Sequence, residues 1–313
     1  MLIGHNARPG GLIQPHRRIV ISLLILTSLL LAACAPATAA APQLLRLATT
    51  TSTYDSGLLD AILPAFEQAY RAEVDVVAVG SGQAIEIGKS GDADVLLVHS
   101  RKAEDAFVAD GFGVERFPVM FNDFVLVGPH DDPAGIAGAA SVVEALQRIY
   151  DSQSTFVSRG DDSGTNVKEL ALWEAAGLTP GPTGAWYQSI GQGMGETLQF
   201  AHEEQGYTLA DRGTYLSLAD SLPDLMVLFG GATIAENPDA AMRNPYGVIQ
   251  VSPAGPQSPA ALKAEEFIAW LTSTETQDLI QVYGVDKYGQ PLFYPSSMAW
   301  CEANGADSPG CSS

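Results

Sequence analysis

The stretch Ser158-Arg159-Gly160-Asp161-Asp162-Ser163-Gly164-Thr165 follows the β-prone residues 155–157 and opens a helical pattern over residues 166–175. A strand that turns through glycine into a helix leaves the first helical N–H groups unpaired, at the positive end of the helix dipole. Arg159 adds a planar charged fork suited to oxyanions, and Ser163 and Thr165 add hydroxyl donors. The stretch therefore predicts an α/β fold with a candidate anion site. The open alternative is that Asp162 or Ser163 only caps the helix while Arg159 pairs with a nearby aspartate.

Two further hydroxyl-rich turns follow predicted strands earlier in the chain. Thr49-Thr50-Thr51-Ser52-Thr53 follows the strand-like residues 44–48, and Val79-Gly80-Ser81-Gly82-Gln83 follows the strand-like residues 74–77. In an open α/β sheet such turns lie at the carboxyl ends of strands, where these sheets bind ligands. Three turns are more than helix capping requires, so we expect them to converge on one anion.

The order of the predicted elements indicates two lobes. Residues 44–98 alternate strand and helix as βαβαβ, which calls for a parallel sheet with helices on both faces. We expect the chain to enter a second lobe near a turn at residues 128–133 and to return through a strand over 246–251. Lobe I is then 43–126 plus 247–313, and lobe II is 127–246. Two connections between lobes permit hinge closure over a ligand.

Residues 1–33 are predicted to be a lipoprotein signal peptide. Three arginines precede an apolar run over residues 19–31, and no acidic residue occurs before the mature part, as in export signals. Leu31-Ala32-Ala33-Cys34 resembles the bacterial lipobox, in which the cysteine is lipidated and becomes the new amino terminus. We expect Cys34 to anchor the protein to a membrane, in the periplasm or at the cell surface, with residues 34–42 as a tether. The alternative is an ordinary signal peptide cut within residues 35–41.

Charge and cysteine usage exclude some functions. The net charge is −20, which makes nucleic acid a poor partner. Cys301 and Cys311 lie in the tail, and an exported compartment permits a disulfide between them. Two thiols with no histidine nearby do not form a convincing structural zinc site. We therefore predict neither a metal nor a cofactor.

The segment Gly160-Asp161-Asp162-Ser163-Gly164 resembles the nucleophile pattern of trypsin-like proteases, but the match is off by one residue. A serine nucleophile needs a histidine base, and His99, His130 and His202 lie in no recognisable partner motif. We predict a binding protein and no enzyme, with a secreted hydrolase that uses Ser163 as the alternative. The glycine-rich residues 191–197 are either a flexible helix start or a further part of the cleft lining.

Together the three turns resemble those of the tungstate-binding proteins of bacterial tungstate ABC transporters. The resemblance continues through Gly91-Asp92-Ala93-Asp94-Val95-Leu96, Trp186-Tyr187 and Ala210-Asp211-Arg212-Gly213-Thr214-Tyr215 and covers nearly all of the mature chain. It implies a type II periplasmic-binding-protein fold, with two α/β lobes, two crossover strands and a ligand cleft between the lobes. The lobes would close on the oxyanion and deliver it to a membrane permease.

The same resemblance implies ligand contacts from Thr50, Ser52, Ser81, Arg159 and Thr165. We add Thr51 and Ser163 to the predicted site, because they are hydroxyl donors of the same turns.

The identity of the oxyanion stays open between tungstate, molybdate and phosphate, since the wider superfamily also contains molybdate and phosphate binders. Phosphate near neutral pH carries a proton and benefits from a carboxylate acceptor, whereas tungstate is a fully ionised dianion that needs donors only. Asp55, Asp161 and Asp162 are near enough in sequence to supply that acceptor, and their orientation is open. We expect a monomer.

Overall fold

The structure is a computed structural model in which strands and helices alternate. It describes Met1 and residues 41–178, 184–252, 258–305, 308 and 310–311. The strands are β1 Gln43–Thr50, β2 Ala72–Val79, β3 Val95–Val98, β4 Gly113–Pro129, β5 Phe156–Ser158, β6 Tyr187–Ser189, β7 Thr208–Asp211, β8 Leu225–Phe229, β9 Arg243–Val251 and β10 Tyr294–Pro295. The α-helices are α1 Thr51–Asp55, α2 Leu58–Tyr70, α3 Ser81–Ser90, α4 Arg101–Ala109, α5 Val142–Ser152, α6 Gly164–Ala175, α7 Met194–Glu203, α8 Arg212–Leu218, α9 Pro259–Leu271, α10 Thr274–Val282, α11 Val285–Tyr288 and α12 Met298–Asn304.

The main sheet has the strand order β10-β4-β9-β3-β1-β2, and β7 and β8 also pair with β4. Strand β1 pairs in parallel with both β2 and β3, so the predicted βαβαβ arrangement is confirmed. The ends of these parallel strands place the first and second hydroxyl-rich turns at one edge of the sheet. Strands β5 and β6 form a separate parallel pair, which carries the third turn.

The two long strands β4 and β9 connect the halves of the molecule. They pair antiparallel with each other, as the prediction of two crossover strands requires. In β4, Met120 and Phe121 pair with β10, whereas Phe124 and the residues after it pair with β7. The change of partners therefore falls at Asn122 and Asp123, inside a continuous strand and before the turn at residues 128–133, where we expected the chain to cross.

The hydrophobic side chains form separate cores on the two sides of this crossover. One core includes Leu45 and Val95 together with Phe267 from the C-terminal region, and another includes Phe124 and Trp173. We call the part of the chain before Asn122, together with the part after Asn244, lobe I, and the part between them lobe II. The residue boundaries predicted for the lobes, 126/127 and 246/247, stay a prediction.

Local signals explain the start of α2. The helical pattern predicts a helix from about residue 56, but Gly57 adopts a left-handed conformation, with φ of 77°. That conformation favours glycine and separates the short helix α1 from α2. Helix α2 then buries Leu58, Ile62 and Phe66, at the helical spacing that the sequence shows.

The C-terminal region returns to lobe I. Strand β10 pairs with β4, and Cys301 and Cys311 form a disulfide bond. The predicted signal peptide, the lipid site Cys34 and most of the predicted tether lie outside the described residues. Among the helices that the structure describes, none is long and apolar enough to cross a membrane.

Candidate functional site

A cleft of about 760 Å³ lies where the first, second and third turns meet. Both lobes line it. Lobe I contributes the end of α11 in addition to the first two turns, and lobe II contributes the starts of α7 and α8 in addition to the third turn. The lining residues are Thr51, Ser52, Asp55, Ser56, Gly80, Gly82, Gln83, Tyr288 and Leu292 from lobe I, and Arg159, Asp161, Asp162, Ser163, Gly193, Met194, Gly195, Glu196, Gly213, Thr214, Ser217 and Leu218 from lobe II.

The first turn divides its hydroxyl groups between the cleft and the protein interior. Thr51 and Ser52 line the cleft, whereas Thr50 is buried beneath them. Thr50 caps α1, because its Oγ1 accepts a hydrogen bond from the Thr53 backbone N–H. Its Oγ1 also lies 3.2 Å from Ser52 Oγ. Of the three predicted residues in this turn, Thr51 and Ser52 thus face the cleft and Thr50 supports them.

The second turn presents an uncapped helix. Gly80 precedes α3 and offers no side chain to its first N–H groups. Gly80 and Gly82 line the cleft, so the positive end of this helix opens onto it. Ser81 is buried, and its Oγ has no hydrogen-bond partner among the described residues. A buried hydroxyl without a partner costs free energy, so such a group needs a functional or structural explanation.

The third turn holds the cation of the site. Arg159 Nη2 donates to Asp161 Oδ2 at 2.6 Å, and Arg159 Nη1 lies 3.5 Å from Thr165 Oγ1. Arg159 Nε is buried and has no partner in the part of the chain that the structure describes. Ser163 caps α6, because its Oγ accepts from the Asn166 N–H. Arg159 and Ser163 line the cleft, and Thr165 is buried behind them.

The structure also shows how the three aspartates are oriented, which the sequence left open. Asp161 accepts from both Arg159 and the Ser163 N–H. Burial alone would raise the pKa of Asp161, but the hydrogen bonds of Ser163 and the charge of Arg159 outweigh it, and the pKa is lowered. Asp55 lines the cleft with a pKa raised by burial. Asp162 lines the cleft in a left-handed conformation, with φ of 56°.

The second and third turns approach each other closely at the start of α6. A Cβ atom built on Gly164 would lie 3.1 Å from His99 Cε1 and 3.8 Å from Ser81 Oγ. His99 follows β3, at the same edge of the sheet as the first two turns. Burial lowers the pKa of His99 to about 4, so its ring is neutral near pH 7. The two lobes therefore come close together beside the Ser81 hydroxyl.

Two further segments line the cleft. The start of α7 contributes Gly193 to Glu196, so the glycine-rich segment does reach the cleft, and Gly193 leaves this helix uncapped. The start of α8 contributes Gly213 and Thr214. Asp211 caps α8 by accepting from the Thr214 N–H and hydroxyl. The sequence signal for this helix start is the capping residue Asp211 three positions before Thr214.

These groups suit the binding of an anion. Hydroxyl groups, unpaired helical N–H groups and one guanidinium converge, and Arg159 is the one cation among the described lining residues. Ser163 is engaged as a helix cap, and no histidine in the described ranges forms a hydrogen bond with it. Fold and site together define a two-lobed protein of the solute-binding class, with a donor-rich cleft.

Comparisons with known proteins agree with this class. The profile of the PBP superfamily domain matches residues 35–275. Tungstate-binding protein TupA of Peptoclostridium acidaminophilum is 50% identical over 253 residues, which cover 80% of this chain and 85% of that protein. The chain therefore belongs to the PBP superfamily, and within it to the family of these tungstate-binding relatives.

Solved structures show the same relationship. The tungstate-binding protein TupA from Desulfovibrio alaskensis G20 matches with a TM-score of 0.71 and 41% identity, over 82% of this chain and 99% of that one. The tungstate ABC transporter structure from Geobacter sulfurreducens matches with a TM-score of 0.67 and 48% identity, over 77% of this chain and 98% of that one. The predicted type II periplasmic-binding-protein fold is thereby confirmed.

Proposed function

We propose that this protein is the substrate-binding component of an ABC transporter and that it captures tungstate outside the plasma membrane and delivers it to the permease. The observation that carries the proposal is a pair of buried donors, Ser81 Oγ in lobe I and Arg159 Nε in lobe II, which have no hydrogen-bond partner among the residues that the structure describes. An oxyanion between the lobes would accept from both. The tungstate-binding relatives support this choice of anion.

The remaining donors would complete the shell around the anion. Ser52 and Thr51 face the cleft, and the uncapped starts of α3 and α7 offer N–H groups. A hydrogen bond to a charged group contributes about 1.5–3 kcal/mol, and nanomolar affinity needs about −12 kcal/mol. Several donors acting together are therefore required. Thr50 and Thr165, which lie behind the lining, would orient Ser52 and Arg159.

Molybdate belongs to the same proposal, because it is also a dianion that needs donors only. Phosphate is the second candidate, since Asp55 and Asp161 both line the cleft and either carboxylate could accept the proton of hydrogen phosphate. Against phosphate, Asp161 already accepts from Arg159 and from the Ser163 N–H.

A thermal-shift screen of tungstate, molybdate, phosphate and sulfate against the purified protein tests the proposal. We expect tungstate to raise the melting temperature most, because a ligand that binds only the folded state stabilises it by mass action. A larger shift with phosphate would favour the second candidate. No shift with any of the four anions would contradict an oxyanion-binding role.

We further propose that the protein acts as a monomer, without a cofactor, and is not a hydrolase. Ser163 supports the absence of hydrolase activity, because its hydroxyl caps α6 and a nucleophilic serine needs a base within hydrogen-bond reach. Turnover of ester or peptide substrates by the purified protein, abolished in Ser163→Ala, would overturn this part of the proposal.

Membrane anchoring through Cys34 also remains a proposal, supported by the lipobox-like residues before it. Mass spectrometry of protein extracted from membranes tests it. We expect an amino-terminal cysteine that carries lipid, and an unmodified terminus beyond Cys34 would contradict the anchor.

A further inference from the structure

One buried side chain holds the third turn from inside lobe II. Asn166 belongs to the first turn of α6, is 4% exposed and is not among the lining residues of the cleft. Its Oδ1 accepts a hydrogen bond from the Asp162 N–H at 3.2 Å, and its Nδ2 donates to Ser158 Oγ at 3.2 Å. The side chain therefore joins the residue directly before Arg159 to the residue three positions after it.

A buried carboxylate fixes the strand side of this contact. The Ser158 hydroxyl donates to Glu169 Oε2 at 2.7 Å, and both residues are buried. Glu169 Oε1 accepts from Trp173 Nε1 at 3.1 Å and from the Tyr187 hydroxyl at 2.8 Å. Buried polar groups that are hydrogen-bonded to one another make a core rigid. The strand end that leads into Arg159 is therefore held firmly by α6.

The loop side of the contact supports an unusual backbone conformation. Asp162 has a φ of 56°, in the left-handed region that favours glycine. A residue keeps such a conformation only where the surrounding structure holds it there. The hydrogen bond from the Asp162 N–H to Asn166 Oδ1 is a contact of this kind. Ser163 Oγ accepts from the Asn166 backbone N–H at 3.3 Å, so Asn166 also holds the next residue of the turn.

The conformation at Asp162 bears on the direction of the Arg159 guanidinium. Asp161, the residue before Asp162, accepts from Arg159 Nη2 with one carboxylate oxygen and from the Ser163 N–H with the other. A change of the backbone at Asp162 would move this carboxylate, and the guanidinium that it holds would turn with it. Asn166 thus supports Arg159 through the main chain at Ser158 and through the carboxylate of Asp161.

We propose that Asn166 is a positioning residue of the oxyanion site, which holds Ser158 and Asp162 in place and thereby fixes the direction of the Arg159 guanidinium in the cleft. The proposal rests on the proposed function, because it takes Arg159 as a donor to the bound oxyanion. Asn166 itself does not contact the ligand and acts through Arg159.

A double-mutant cycle of Asn166→Ala and Arg159→Ala tests this role. Asn166→Ala removes both side-chain hydrogen bonds, and we expect it to weaken tungstate binding about tenfold. In an Arg159→Ala background the same substitution should change the affinity less than about twofold, because the group through which Asn166 acts is gone. Calorimetry well below the melting temperature measures the tighter binders. The rise in melting temperature at millimolar tungstate measures the weaker ones.

Gln277→Ala is the matched control, because Gln277 is also a buried amide that joins separate backbone segments. Its Nε2 donates to the Leu271 carbonyl, and its Oε1 accepts from the Ser296 and Ser297 N–H groups. It lies in α10 of lobe I, outside the cleft lining. We expect Gln277→Ala to lower the melting temperature and to leave the tungstate affinity unchanged in both backgrounds.

Ser158→Ala provides a second, smaller change to the same network. It removes the hydroxyl that joins Asn166 to Glu169 and leaves the contact with Asp162 in place. We expect it to weaken tungstate binding about threefold to fivefold and to show the same non-additivity with Arg159→Ala.

Parent-like affinity of Asn166→Ala, or losses that simply add to those of Arg159→Ala, would overturn the positioning role while leaving the proposed function intact. An equal loss of affinity in Gln277→Ala would also overturn it, because the effect would then follow stability alone. Absence of tungstate binding by the parent protein would instead contradict the proposed function.

Discussion

At the residue scale, Ser81 and Arg159 each hold a buried donor that lacks an acceptor in the described part of the chain. Leaving a buried polar group unpaired costs about 1–3 kcal/mol. A protein selected for stability alone would fill or remove such groups, whereas a binding site keeps them for the ligand. Because the two residues lie on opposite lobes and at the same cleft, we propose that both bind the same anion.

Ser81→Ala separates the contribution of this hydroxyl to binding from its contribution to stability. The Ser81 hydroxyl makes no hydrogen bond to the described part of the chain, so we expect the free energy of unfolding to stay equal or to rise slightly. Tungstate affinity should fall by about 1.5–3 kcal/mol, because a bond to a charged ligand is lost. Calorimetry and urea denaturation measure the two quantities.

Ser297→Ala is the control for Ser81→Ala. Ser297 is buried as well, but its Oγ accepts from the Trp300 N–H and caps α12. Its removal should lower the free energy of unfolding by about 1 kcal/mol and leave the affinity unchanged. A Ser81→Ala variant with the affinity of the parent would contradict a ligand contact at this position.

His99 should make stability depend on pH. Burial lowers its pKa to about 4 in the folded protein, against 6.5 for a histidine side chain in water. The unfolded chain therefore binds the proton first as the pH falls, and the stability present above pH 6.5 is lost as the pH falls toward 4. We expect a loss of roughly 2–3 kcal/mol from this group.

His99→Gln should lack this part of the pH dependence in chemical denaturation between pH 7 and 4. His130→Gln, which changes an exposed histidine, should retain the dependence of the parent. If the free energy of unfolding changed equally with pH in the parent and in His99→Gln, the low pKa of His99 would be contradicted.

At the element scale, the starts of helices α3, α6 and α7 meet at the cleft, and the approach of α6 to His99 and to the start of α3 depends on Gly164. Its missing side chain lets the start of α6 approach His99 and Ser81. Contacts at 3.1 Å from a Cβ leave little room, because packed interiors have few voids. A methyl group at this position would require the His99 ring to move by a few tenths of an ångström, at the place where the two lobes approach each other.

Gly164→Ala tests the importance of this close approach. We expect tungstate affinity to fall at least tenfold, about 1.4 kcal/mol, while the helix itself loses nothing, since alanine is the better helix former. Gly138→Ala, where an added Cβ meets nothing within 4 Å, should bind like the parent. Equal affinities of the two variants would show that the lobes do not depend on this contact.

The βαβαβ unit and the helices that follow the three turns could be predicted, because strand and helix periodicity and local turn residues determine them. The full extent of β4 could not, since residues 113–120 mix polar residues with Pro118 and pair with the distant strands β9 and β10. Strand β7 and helix α8 were missed for a similar reason. Strand β7 pairs with the far half of β4, and α8 is joined to β4 through Arg212 and Asp123.

The same distinction applies to the site. The residue types of the three turns predicted an anion site, but not that Thr50 and Thr165 lie behind the lining. The pairing of Asp161 with Arg159 depends on the left-handed conformation of Gly160, and the residue types alone do not predict that pairing. Gly213 and Thr214 come from a distant part of the chain, so only the folded structure places them at the cleft.

At the scale of the whole molecule, a net charge of −20 repels an anion. Salt screens exposed charges over roughly 8–10 Å, whereas donors in contact with the ligand act unscreened. The local arrangement of donors in the cleft can therefore outweigh the overall charge. A negative net charge weakens binding to nucleic acid more strongly than binding to a small dianion, because nucleic acid contacts many surface charges at once.

The disulfide between Cys301 and Cys311 should stabilise the molecule without affecting binding. The two residues are separated by 10 positions, and closing so short a loop contributes about 2–3 kcal/mol through the entropy of the unfolded chain. We expect the double variant Cys301→Ser/Cys311→Ser to lose this amount in denaturant unfolding and to bind tungstate like the parent. An unchanged unfolding midpoint would contradict the stabilising role.

Calorimetric titration of tungstate into the parent protein and into Arg159→Ala tests the central claim most directly. We expect the parent to bind one tungstate per chain. Arg159→Ala should lose roughly 3 kcal/mol or more, over a hundredfold in affinity, because the dianion loses its countercharge and Asp161 remains beside it. Arg159→Lys should lose less, since it keeps the charge without the planar fork. Binding of tungstate by Arg159→Ala as tightly as by the parent would contradict an oxyanion site at this cleft.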